Sequence, residues 1–162
     1  MVLSTALNCE ILERRVENLS RLMYYEGADV HIIDLKEDLL KFAVYIAIAD
    51  GKISYREVRK IYIIFSALGS MKKIKDYIIE NEIYEEKFEH YIPESIKQII
   101  ELEMKIIDGK MSLTQDVIRI LRDISRCIIE CKENSEQVKR AKTYIDCIEE
   151  YLNDSVIGRE DE

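Results

Sequence analysis

Few side chains in this sequence have the type and spacing that chemistry requires. His31 and His90 each stand without a second histidine or a cysteine nearby, so neither begins a metal-ligand set. Glu82, Glu85, Glu86 and Glu89 include carboxylates at helical spacing. Paired acids can do general acid–base work or hold a cation, but only in a cleft that shifts their pKa values. On an amphipathic helix the same set is the solvated face. Cys127 and Cys131 are four residues apart and so share one helix face, where they could bind a metal or take part in redox chemistry. Among Ile124, Ile128 and Ile129 they read instead as small buried hydrophobes. There is no Ser–His pairing signal, no G-x-x-x-x-G-K-[ST] phosphate loop and no H-E-x-x-H. The expectation is a protein that binds rather than catalyses.

The elements that would position any site are more legible. Residues 39–49, Leu-Leu-Lys-Phe-Ala-Val-Tyr-Ile-Ala-Ile-Ala, carry one charge, Lys41. A helix apolar on every side is buried on every side, so this segment is expected at the centre of a bundle. Asp34 and Glu37 give a D-x-x-E start. Asp50-Gly-Lys-Ile-Ser54 then makes a tight corner. Gly51 fits the left-handed position past the helix end, and Ser54 with Glu57 forms a capping box. Ile53 can staple onto Val58.

The same corner recurs as Asp108-Gly-Lys-Met-Ser112, with Gln115 where the first copy has Glu57. Asp108 follows Asp50 by 58 residues, a spacing that suggests two helix-pair halves related by duplication. In both copies an aspartate stands at a helix C-terminus, where the helix dipole does not favour its charge.

An apolar helix ending in Ala-Asp-Gly-Lys-Ile-Ser, then x-x-Glu and a second amphipathic helix, resembles the TerB-like family of small all-helical domains. That family occurs in tellurite-resistance and stress-response proteins, in a DnaJ-type membrane co-chaperone and as attached modules. The resemblance covers Leu39–Leu68 and recurs over Met104–Ile124. It implies divalent-cation binding through acidic residues near the corners, which falls here on Asp50 and Glu57, with Asp108 in the second copy. Oxygen ligands of this kind suit hard cations such as Ca²⁺ or Mg²⁺.

Taken along the chain, helices are expected from Ser4 to about Glu26, over Asp34–Asp50, Tyr55–Leu68, Met71–Glu80 and Glu82–Tyr91, over Glu94–Ile107 with Pro93 in its first turn, over Leu113–Lys132, and from Asn134 to Leu152. The fold class is all-α: one bundle of about eight helices over residues 1–152, with two repeated helix–corner–helix units. Residues 153–162 form a linker. Within them, Val156-Ile-Gly-Arg-Glu-Asp-Glu162 resembles the start of Clp-type AAA+ ATPase modules, as an excised N-terminal domain would show.

Charge narrows the partners. Thirty-two acidic against 24 basic side chains give a net −8, which leaves no basic excess for phosphates and argues against nucleic acid. No apolar run approaches 18 residues, and the N-terminus lacks a basic-then-apolar leader pattern, so a cytoplasmic protein without a transmembrane segment is expected. Partners are a protein or an attached ATPase module. Tyr24, Tyr25, Tyr55 and Tyr62 are candidate anchors, because tyrosine supplies contact area plus a hydrogen bond. Lys72, Lys73 and Lys75 form a small basic cluster that would meet an acidic partner or a membrane surface, or lie, as such clusters more commonly do, as a solvated face.

Overall fold

The computed structural model describes residues 2–25, 34–48, 51–83, 93–99 and 112–131, with shorter helical pieces between 138 and 150. All regular structure among them is helical. In chain order these are α1 (Val2–Tyr25), α2 (Leu35–Ala47), α3 (Tyr55–Phe65), α4 (Met71–Glu80), α5 (residues 94–99) and α6 (Ser112–Ile129). The remaining segments expected to be helical, including most of 82–91 and the second D-G-K corner, lie outside the described residues.

The apolar α2 is the axis of the bundle. Leu39, Phe42, Ala43, Val44, Ile46 and Ala47 are each at most 1% exposed, and Lys41 alone on the helix body is half-exposed. α1 and α3 pack on each other, and α6 closes against α1, α2 and α3. The inward stripe of α6 is Val117, Ile120, Leu121, Ile124, Cys127 and Ile128, all buried, as its 3.6-residue period requires. α4 lies at the margin and leans on α3. Its Ile74 is fully buried, whereas Lys72, Lys73 and Lys75 are exposed.

Caps set the helix boundaries. Asp34 accepts the Glu37 N–H at 3.3 Å and starts α2. At α3 the box is reciprocal: Ser54 Oγ accepts the Glu57 N–H at 3.2 Å, and Glu57 Oε1 accepts the Ser54 N–H at 3.1 Å. Ser70 Oγ accepts the Lys73 N–H and opens α4.

Several boundaries differ from the pattern reading, among them the ends of α2 at Ala47 and α6 at Ile129, short of Asp50 and Lys132. α1 already runs at Val2, so Ser4 sits within it rather than capping it. α3 stops at Phe65, three residues early, because Ser66 turns left-handed (φ 54°) while its N–H still reaches Tyr62 O. Asn81 finishes α4 instead of starting a helix; its side-chain amide donates to Tyr77 O at 2.9 Å. Pro93 stands one position ahead of α5, where its carbonyl accepts from Ile96 N and Lys97 N. Proline has no side-chain cap to offer, and Asp38 of α2 supplies one, accepting the Ser95 N–H at 2.9 Å.

Candidate docking groove

The first corner and α4 border a cavity of about 680 Å³. It forms because the chain must leave the buried α2 abruptly. Ile48 ends the helix, and Gly51, at φ 81°, donates its N–H back to Ile48 O at 2.8 Å. That left-handed step reverses the chain within a few residues, and a glycine adopts it without a Cβ clash. Ile53 is then half-buried against the core, and the Ser54–Glu57 box launches α3 with Tyr55 directed outward, 77% exposed.

The opposite wall is one face of α4. Met71, Lys75 and Ile78 recur at helical spacing (i, i+4, i+7) and line the cavity together with Ile83 beyond the helix end. Ile74 on the adjoining face is fully buried and fixes α4 to the bundle. A second tie runs from the Tyr77 hydroxyl, which donates to Glu37 Oε1 at 2.8 Å and fastens α4 to the start of α2. The groove therefore has an apolar floor of isoleucines and methionine, an aromatic lip at Tyr55, and Lys52 and Lys75 as the charged residues on its described walls. Its size lies in the ~300–1,000 Å³ range of pockets that hold ligands or anchor side chains.

The residues singled out for cation binding are distributed differently. Glu57 is 2% exposed, and its Oε1 is engaged by both the N–H and the hydroxyl of Ser54, the latter at 3.0 Å. Asp50 and Asp108 lie outside the described residues, as do His31 and His90. Among the described residues no group of three or more His, Cys, Asp or Glu is arranged to hold a metal ion.

The thiols sit in the core. Cys9, Cys127 and Cys131 are buried and free. Burial pushes the Cys9 thiol up to about 12, with Asp123 and Cys127 adding to the effect. Burial also raises Cys131, partly offset by Lys60. Both shifts favour the protonated thiol, the opposite of what a nucleophilic cysteine needs.

Of the tyrosines expected as anchors, Tyr55 and Tyr62 are exposed at 77% and 53% and lie seven residues apart on α3. The side chains of Tyr24 and Tyr25 are not among those described. Sequence reasoning named Tyr55 but did not locate the groove, and the spacing of Met71, Lys75 and Ile78 was a signal that could have pointed to its α4 wall. Among the described residues no helix is long and apolar enough to cross a membrane. Comparisons with protein-family models, curated proteins and solved structures find no match to this chain.

Proposed function

We propose that this chain is a non-enzymatic docking module that seats part of a partner protein in the groove between the first D-G-K corner and α4. The observation that carries this reading is the groove itself: an apolar concavity lined by Ile53, Met71 and Ile78 whose lip, Tyr55, is 77% exposed. Large apolar and aromatic groups arranged around a concavity at a surface are the usual make-up of an interaction site. The TerB-like resemblance of Leu39–Leu68 adds to it, since such domains occur as modules attached to other proteins. In this reading the second D-G-K corner is the duplicated partner of the first. The Val156–Glu162 string would make the module the docking domain of a Clp-type ATPase.

Affinity capture with three forms of the chain tests the reading. Wild type and Leu7→Ser, altered far from the groove, should retain the same partner protein, while Tyr55→Ala combined with Ile78→Ser should lose it. Equal retention by all three forms would remove the groove from the function. Calorimetric titration with Ca²⁺, Mg²⁺ and Zn²⁺ separates docking from the divalent-cation alternative. Saturable binding abolished by Asp50→Asn would favour a metal-dependent stress protein.

A further inference from the structure

The charges of this protein are unevenly placed. Residues 51–80, which run from the first corner through α4, hold seven basic side chains against three acidic, a local net charge of +4 on a chain of −8. The rest of the molecule therefore carries −12. On α3 the excess comes from Arg56 and Arg59, both exposed, with Lys60 held by Glu130 at 3.0 Å. On α4 Lys72, Lys73 and Lys75 are exposed, and with the exposed Asp76 and Glu80 the helix carries a net +1. Lys52 and Lys75 reach this island into the groove.

Resting on the docking reading above, we propose that the groove takes an acidic amphipathic helix of a partner protein. The apolar side chains of that helix would enter between Ile53, Met71 and Ile78, while carboxylates along its edges meet Lys52 and Lys75. The floor is apolar and recessed, which suits the i, i+3/i+4, i+7 anchors of a helix laid in a groove. A membrane surface calls for apolar groups that project, whereas Ile53, Met71 and Ile78 are half-buried around the concavity. An acidic partner is also selected by contrast: the sequence outside residues 51–80 carries a net −12, so such a partner is steered to the basic segment at the groove. A basic helix would be drawn elsewhere on the molecule.

The test uses the full chain and three probes. The first is a fluorescein-labelled helical peptide of about 16 residues with leucines at i, i+3 and i+7 and glutamates on its flanks. The second is the same peptide with lysine for every glutamate. The third is a set of phosphatidylcholine vesicles containing phosphatidylserine. Fluorescence anisotropy should show saturable binding of the acidic peptide, weakened at least ~10-fold for the lysine peptide and for Lys75→Glu, and weakened by added salt. Lys75 is exposed, so Lys75→Glu should leave the helical circular dichroism unchanged, and Lys75→Gln should fall between it and wild type. Equal binding of both peptides at the groove would overturn the acidic preference and leave docking intact. Binding of neither peptide, with captured partners still lost in the groove variant, would overturn the acidic helix alone. If neither peptide binds and capture is indifferent to the groove, both readings fail. Vesicle binding that depends on Lys75 would replace the helix with a lipid surface.

Discussion

Where α1 meets α6, the described structure is sealed: Thr5 Oγ1 lies 3.6 Å from Cys127 Sγ, Cys9 is 8% exposed, and Arg15 pairs with Asp116 at the rim. Asp116 also pairs with Arg119 at 3.1 Å, so both signs of charge close the margin. Where α4 meets the first corner, Ile53, Met71 and Ile78 remain half-buried around the 680 Å³ cavity, and the charged groups on its described walls have one sign. The amphipathic pattern is alike on the two sides, but the finish is not. A closed interface matches apolar stripes and carries both signs of charge at its rim; a receptive one leaves apolar side chains half-buried beside charges of one sign.

The sharpest way to break this comparison is to shorten a side chain on each kind of surface. Phe42→Ala in α2, 1% exposed, should cost about 3–5 kcal/mol, because it removes transfer energy and leaves a cavity. Ile78→Ala at the groove should cost under ~1 kcal/mol, since little burial is lost. Thermal melts of both variants decide the matter. A large loss for Ile78→Ala would show that the groove is packed core.

The two acid-capped helix starts sharpen it further. Glu57→Ala removes a buried, doubly bonded cap and should cost about 1–2 kcal/mol. Glu37→Ala loses the exposed bond to Tyr77, for which about 0.5 kcal/mol is expected by urea denaturation. At the corner itself, Gly51→Val forces a β-branched residue to φ 81° and should cost about 1 kcal/mol or more. One further effect has the opposite sign. Ser66→Gly relieves a left-handed non-glycine residue at the α3 terminus and should stabilise by about 0.5–1 kcal/mol.

Much of this fold was legible wherever one local rule acted alone. The continuous apolar run of 39–48 forced a buried helix, and α4 begins and ends where Ser70 and Asn81 allow. The buried apolar residues of α6, Val117, Ile120, Leu121, Ile124, Cys127 and Ile128, recur on the 3.6-residue repeat that marks a helix in sequence. The reading erred where tertiary contacts outrank local signals. Leu68 looked like the end of α3 by pattern, yet Ser66 and Leu68 both take positive φ, and Gly69 is kept small by the Tyr62 ring, 3.1 Å from where a Cβ would stand. Asp38 carries no local sign that it caps Ser95, which follows 57 residues later. Glu57 reads from sequence as the acid of a capping box, and its bonds to Ser54 show it capping. The groove was hidden for a similar reason: residues 48–55 and 71–83 each look like ordinary helix edges, and only their juxtaposition makes a concavity.

The most direct measurement is an amide chemical-shift titration of the ¹⁵N-labelled chain with the acidic helical peptide. The groove account predicts saturating shifts at Ile48, Gly51–Tyr55, Met71–Ile78 and Ile83, with the α1–α6 side unmoved. Shifts centred on Leu3, Leu7 and Ile11 of α1, or none at all, would contradict it.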